Sequence, residues 1–312
     1  MGLTVLAFGL AAVGFLLLAR RAAPVGRVDL TPLVYLRAPL NQLAFWLRSS
    51  RRPSQRTPRV VHEPKENLFG YLDEPLSIQA AMRARDLERR FDLHDLRGAS
   101  TREVYRHNLY VLDLLDRHVT PRLDAAADAL RAVDAGSQDF RYATALERWL
   151  KHAGTLVPRD VALDGVEVDG HGLYRDRSTR ADHGVHHAAL TGNPGVRYRV
   201  EDFCRTTDHD LDVVFAWFPF VLPYALVQWG LPLKLFAPAA FFRRAADALR
   251  PGGLLVITTH TDEERAALSE LLARVESLRV IETAPAQSQL VHYWEDVPER
   301  AITIVKKLGH QG

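Results

Sequence analysis

Apolar and polar positions alternate along the chain in four regimes. Residues 3–19 hold no charged or strongly polar side chain. At about 1.5 Å per residue this run spans about 25 Å as a helix, close to the thickness of a bilayer core. Residues 22–70 lose the pattern and hold prolines 24, 32, 39, 53 and 58, which preclude one long helix. Within them 40–48, LNQLAFWLR, has the composition of a short interfacial helix with Trp46 at headgroup level. From about residue 75 helical spacing takes over, in PLSIQAAMRARDLERRFDL and STREVYRHNLYVLDLLDRHV. Ser100 and Glu103 are spaced as a capping box for the second of these. Residues 71–125 are therefore expected to form a helical lead-in packed on the main domain, either covering a sheet face or serving as a substrate lid.

Beyond residue 126 short apolar runs alternate with helical stretches. The strands are expected at 130–135, 161–168, 196–202, 211–217 and 253–259, with helices between them, notably Tyr142–His152 and Pro238–Leu249. Such alternation predicts a parallel sheet with helices on both faces. Two further strands, 278–284 and 301–307, have no convincing helix between them and predict an antiparallel pair at the sheet edge. The domain order is thus 1–21 anchor, 22–70 basic Pro-rich linker, 71–125 lead-in and 126–312 α/β domain.

Charge sharpens the first two regimes. Residues 20–59 carry nine arginines and one acid, Asp29, a local balance of +8 within a net charge of +2. No Lys or Arg precedes the apolar run, and Arg20 and Arg21 follow it directly. That asymmetry predicts an uncleaved single-pass anchor with the main domain on the cytoplasmic side, not a cleaved signal peptide. The arginines are expected to attract anionic lipid, and nucleic acid is not expected as a partner. The single cysteine, Cys204, excludes an intramolecular disulfide and a Cys-based zinc site.

Candidate chemistry lies at the ends of the expected strands. Residues 134–140 read Asp-Ala-Gly-Ser-Gln-Asp-Phe after the first strand, DGVEVD closes the second, RVEDFC the third, and LRPGGLLVITTH carries the fifth. Together with the C-terminal strand pair, these segments resemble the class I S-adenosylmethionine-dependent methyltransferases over about 126–308. The resemblance implies a Rossmann-like sheet of about seven strands whose last strand is antiparallel. It implies S-adenosylmethionine as cofactor, held by Asp134, Gly136, Ser137, Glu167, Asp202 and Phe203. Glu167 takes the place of the acid that receives the ribose hydroxyls, with Asp169 two residues on. Asp202 takes that of the acid near the adenine amino group, with Phe203 against the adenine face. Arg250, Pro251, Gly252 and Gly253 match the family turn before the fifth strand.

The first loop departs from the family pattern of an acid followed by three alternating glycines. Asp134 and Gly136 match, but Gln138 and Phe140 stand where the second and third glycines belong. Glycine is needed where backbone approaches a ligand or takes positive φ, so a wider turn or a displaced cofactor is expected. Ser137 is placed to bond the methionine carboxylate or to cap the next helix. S-adenosylmethionine has no pyrophosphate and demands less of such a loop than a dinucleotide does.

The loop after the fourth strand, 216–238, is apolar and Pro-interrupted, and Trp217, Phe218, Phe220 and Tyr224 are its candidate substrate-binding residues. Either they pack under the sheet edge or they line a hydrophobic pocket. With an anchor, a pocket implies an apolar or membrane-associated methyl acceptor. His260 and Tyr142 are the candidate catalytic residues. Asp182, His183, His186 and His187 are read as a polar loop, and no metal site is assigned. The rival reading is a non-catalytic methyltransferase-like binding or scaffold protein at the membrane, for which the altered loop is the reason.

Overall fold

The computed structural model describes residues 34–50, 56–58, 62–124, 126–290 and 300–309. The apolar run 3–19 lies outside these residues, and no helix among them is long and apolar enough to cross a membrane. In chain order the elements are α1 (Ala38–Ser49), α2 (Glu74–Arg90), α3 (His94–Ala99), α4 (Arg102–Leu114), β1 (Ala129–Ala135), α5 (Ala143–His152), β2 (Asp160–Val166), α6 (Arg180–Leu190), β3 (Val196–Arg199), β4 (Leu211–Trp217), α7 (Pro223–Gln228), α8 (Pro238–Ala248), β5 (Leu249–Thr259), α9 (Asp262–Ala273), β6 (Leu278–Pro285) and β7 (Ala301–Lys307).

The strands form one seven-stranded sheet in the order β3-β2-β1-β4-β5-β7-β6. β1 to β5 are parallel, and β7 runs antiparallel to both β5 and β6. The chain reverses its direction of growth between β1 and β4, which leaves a crevice at the carboxyl ends of those strands. This is the Rossmann-like seven-stranded sheet with an antiparallel C-terminal strand that the sequence led us to expect.

The period-2 pattern of the central strands explains the layers. On β4 Val213, Phe215 and Trp217 face one core, while Val214 and Ala216 face the other. β5 does the same with Leu254 and Val256 against Leu255 and Ile257. The first core is closed by α2, α4 and α5 through Leu87, Leu109, Leu112 and Trp149, all fully buried. The lead-in therefore covers a sheet face and shares its core. The second core is closed by α8 and α9 through Phe242, Ala245, Leu268 and Leu272.

Several boundaries shift for local reasons. The cap of α4 is Thr101, whose hydroxyl accepts from the Val104 amide at 3.1 Å, so a single cap bond one residue on replaces the expected Ser100–Glu103 box, Val104 having no acceptor to complete one. Ser100 instead donates to the Leu96 carbonyl at 2.6 Å. The stretch read as a polar loop with Asp182, His183, His186 and His187 is the helix α6. Thr179 caps it and Asp182 completes a capping box, which occupies that acid structurally. The basic linker is also structured in part, because α1 docks on the loop after β4.

Asn108 of α4 fixes the lead-in to the loop after β1 and the first turn of α5. Its Nδ2 donates to the Val104 and Arg141 carbonyls, both at 2.8 Å, and its Oδ1 accepts from the Ala145 amide at 2.9 Å. Asn108→Leu strands the Arg141 carbonyl and the Ala145 amide without partners. We expect it to cost about 2–4 kcal/mol in urea unfolding, where an ordinary surface change would cost almost nothing.

Candidate active site

A cavity of about 490 Å³ opens at the carboxyl ends of the parallel strands. Gly136, Gln138, Glu167, Asp202 and Phe203 line one side of it. Trp217, Phe218, Phe220, Tyr224 and His260 line another. Its size lies within the range of small-molecule sites, and its walls are largely apolar with a few polar groups.

The loop after β1 is built by bracing. Gly136 makes the turn at φ +84°, and a Cβ added there would meet no atom within 4 Å, so this side of the cavity is open. Gln138 and Phe140 hold φ values of +52° and +55°, a region that costs ordinary residues about 1–3 kcal/mol. Each is over-determined. The Gln138 amide donates to Glu167 Oε2 at 2.9 Å, and its carbonyl accepts from the Tyr198 hydroxyl. The Phe140 ring is fully buried in the sheet core, seated on Gly165 of β2. Between them Asp139 takes a two-pronged contact from Arg141 at 2.9 and 2.8 Å and a bond from the Tyr174 hydroxyl at 2.8 Å. Burial alone would raise the Asp139 pKa, but the Arg141 guanidinium reverses this and holds it below the usual carboxylate range. Phe140 thus leaves the ligand side of the loop free, and Gln138 is the residue that reaches the cavity wall.

Glu167 stands one residue beyond β2, not within it as expected, and is buried. Its Oε1 accepts from the Asp169 amide at 2.8 Å and its Oε2 from the Gln138 amide. Arg180 approaches Oε1 at 3.7 Å. Burial raises its pKa, and Arg180 and the two amides oppose the rise. A carboxylate has about four acceptor positions, so two remain for a ligand.

Asp202 follows β3 by three residues and caps a short turn, its Oδ1 accepting from the Cys204 amide at 3.0 Å. Phe203 packs against Phe241 with ring centres 5.1 Å apart and still lines the cavity.

Three expected positions lie elsewhere. Asp134 is fully buried beneath the loop and does not line the cavity. Burial pushes its pKa well up, the nearby Tyr142 hydroxyl opposing this, while the charge of Glu167 adds to it. Ser137 is fully buried, and the first turn of α5 is preceded by Tyr142, so Ser137 does not cap that helix. Tyr142 lies under Trp217, 5.9 Å between ring centres, and off the cavity wall.

The aromatic wall is set by strand and turn chemistry. Trp217 ends β4 and stacks on Phe215 at 6.1 Å, and its indole nitrogen is buried without a partner among the described residues. Phe218 takes φ +53°, held by its amide donating to the Thr258 hydroxyl at 3.0 Å and by stacking on His260 at 3.8 Å. Burial and then Arg300 push the His260 pKa down to about 4, so the imidazole is neutral near pH 7.

Gly165, Arg180 and Tyr198 were not singled out in sequence. Only the α6 helix brings Arg180 to Glu167, and only β3 brings Tyr198 to the loop. No periodic signal marks either contact.

The loop is also a pH-sensitive element. His187 of α6 donates Nδ1–H to the Asp139 carbonyl at 2.7 Å, and burial pushes its pKa down to about 4. The unfolded chain binds this proton near 6.5, the folded chain only near 4. Stability is therefore complete above pH 6.5 and is lost as pH falls through that window, by up to about 3 kcal/mol. Chemical denaturation at pH 7 and 4.5 should show the loss, reduced in His187→Asn; His260 contributes in the same direction.

No protein-family model and no curated protein matches the chain. Solved structures resemble it at low identity. One, assigned to the class I S-adenosylmethionine-dependent methyltransferases of Listeria monocytogenes, is 16% identical with a TM-score of 0.46, covering 80% of each chain. An S-adenosylmethionine-dependent methyltransferase from Aquifex aeolicus is 13% identical with a TM-score of 0.41, covering 64% of this chain and 97% of its own. An S-adenosylmethionine-dependent O-methyltransferase from Thermotoga maritima is 14% identical with a TM-score of 0.40, covering 65% and 72%. At these values the likeness adds nothing to what the sheet order itself shows.

Proposed function

We propose that the chain is an S-adenosylmethionine-dependent methyltransferase, held at the membrane, that acts on an apolar or membrane-associated acceptor. The observation that carries this reading is one cavity with two chemically distinct sides. Glu167, with two acceptor positions to spare, Asp202, Phe203 and the open turn at Gly136 form one. Trp217, Phe218, Phe220 and Tyr224 form the other.

The donor set fits the cofactor. Glu167 would receive the ribose hydroxyls, Asp202 the adenine amino group, and Phe203 would pack on the ring, with Gly136 and Gln138 left at the methionine end. The cofactor supplies an electrophilic methyl group on a sulfonium, whose displacement needs alignment and exclusion of water more than a dedicated acid or base. Trp217, Phe218 and Phe220 exclude water. Neutral His260 on the same wall is placed to orient the acceptor, and its lowered pKa makes it a weak base.

The membrane part of the proposal rests on the apolar run 3–19 and on the +8 segment 20–59, with the α/β domain on the cytoplasmic side. The full chain in detergent micelles, given S-adenosylmethionine with a tritiated methyl group and a total lipid extract, should move label into the organic phase. Label that never leaves the cofactor, with lipid or with aqueous extract, would overturn the enzymatic reading and leave the binding or scaffold one.

A further inference from the structure

The helix α1 carries two apolar faces, and only one is explained by packing. Its inner face seals the loop after β4. Ala38 and Phe45 pack with Leu226, Val227 and Leu231. Asn41 Nδ2 donates to the Val227 and Leu231 carbonyls at 2.8 and 3.2 Å. Arg48 donates to Asp169 Oδ1 at 2.6 Å and to the Gly230 carbonyl at 3.1 Å. Leu226 and Leu231 also line the cavity, so α1 is separated from it by a single layer of side chains.

The outer face is a second stripe. Leu36, Leu40, Leu43 and Leu47 recur at helical spacing, with Trp46 at its margin, and all five are between 49% and 67% exposed. Single exposed leucines are ordinary, but four large apolar side chains on α1, continued by Leu36 in the turn before it, mark an interaction surface.

The geometry points to the surface of a bilayer containing anionic lipid as the occupant of this stripe. Three observations select it. From residue 30 to 62 there is no acid, while Arg37, Arg51, Arg52, Arg56 and Arg59 accompany the stripe in sequence. Lys234, whose ammonium lies 6.0 Å from the Phe45 ring, adds a cation from the neighbouring loop. Basic residues beside an anionic surface each contribute about 1 kcal/mol of attraction. The apolar run 3–19 ends sixteen residues before Tyr35, a tether of at most about 55 Å. Trp46 at the margin has the amphipathic ring favoured at headgroup depth. A second copy on the same stripe would bring these arginine-rich faces together, which like-charge repulsion opposes.

Docking in this orientation brings the Leu226–Leu231 wall of the cavity to within one helix of the membrane, with Trp229, half exposed and part of the lining, beside it. An acceptor dissolved in the bilayer would then reach the aromatic side without crossing water. The inference rests on the membrane reading above but reads no methyl transfer, so the two can fail separately.

The test uses the full chain, with Cys204→Ser as background, carrying a nitroxide label at Leu40→Cys, at Leu47→Cys, or at Leu156→Cys. Leu156 is fully exposed at the far end of the β1–α5–β2 unit. In phosphatidylglycerol-rich vesicles the labels at 40 and 47 should lose collisions with a water-soluble nickel relaxant several-fold and gain them with oxygen. The label at 156 should not change. The protection should diminish in pure phosphatidylcholine. Labels at 40 and 47 as wet as the one at 156 would overturn the proposal. So would protection that follows protein concentration and ignores lipid charge, which would assign the face to a second copy.

Discussion

Glu167→Gln is expected to weaken binding of S-adenosylhomocysteine roughly ten- to a hundredfold, the loss of one charge-assisted acceptor at about 1.5–3 kcal/mol. Two effects combine. Glutamine offers one oxygen where the carboxylate serves two amides, those of Gln138 and Asp169, and its NH₂ would face the other. The loop that carries Gln138 at positive φ then loses one of the bonds that hold it. The pH dependence gives a second readout. Burial raises the pKa of Glu167 in the free protein, and a ligand that donates hydroxyls to it favours the ionised form. Affinity should therefore rise as pH rises through that pKa and fall on acidification. The Gln variant should lose this dependence. A variant that binds as wild type at every pH would show that Glu167 supports only the loop.

The largest effect on stability is expected at Phe140. Deleting a fully buried phenylalanine ring costs about 3–5 kcal/mol, and Phe140 is fully buried. Its φ of +55° makes the order of variants diagnostic. In ordinary positions Ala is better tolerated than Gly. Here Phe140→Gly relieves the backbone while Phe140→Ala keeps the strain, so Gly should be the milder of the two. The partner is Gly165, where an added Cβ would stand 2.9 Å from the ring. Gly165→Ala alone should cost about 1–3 kcal/mol by overpacking. In the Phe140→Ala background the same methyl enters a void and should cost nothing or stabilise. Guanidinium unfolding of the four chains measures this coupling. Additive effects would contradict the placement of the ring on Gly165.

This pair also shows what the sequence could and could not disclose. The sheet was legible because its signals are periodic: alternation on β4 and β5 sets both cores, and the Pro251–Gly253 turn marks β5. Acids at strand ends were found to within a few residues, since β2 stops at Val166 and β3 at Arg199. The first loop was not legible. Its missing glycines are replaced by contacts from residues 25 to 60 positions away, Gly165 under Phe140 and Tyr198 at the Gln138 carbonyl. Long-range bracing of this kind leaves no local pattern. The same holds for α6, whose histidines and Asp182 read as a polar loop although Thr179 and Asp182 form its cap. His187 of that helix turned out to secure the loop through the Asp139 carbonyl.

The aromatic stretch after β4 left two readings open in sequence, packing or pocket. Both describe part of it. Leu226 and Leu231 pack against α1 and line the cavity, while Trp217, Phe218, Phe220 and Tyr224 form its wall. The positive φ of Phe218 beside His260 places backbone strain at the cavity, where a folded chain retains it only if the surroundings enforce it.

The account turns on whether the braced loop and Glu167 still receive the cofactor. Isothermal titration of the full chain in detergent micelles with S-adenosylmethionine, S-adenosylhomocysteine and NAD tests this most directly. Saturable binding of the first two, weakened in Glu167→Gln, with no heat from NAD, is the predicted result. No binding of either sulfur ligand up to millimolar concentration, in a chain that remains folded, would contradict it.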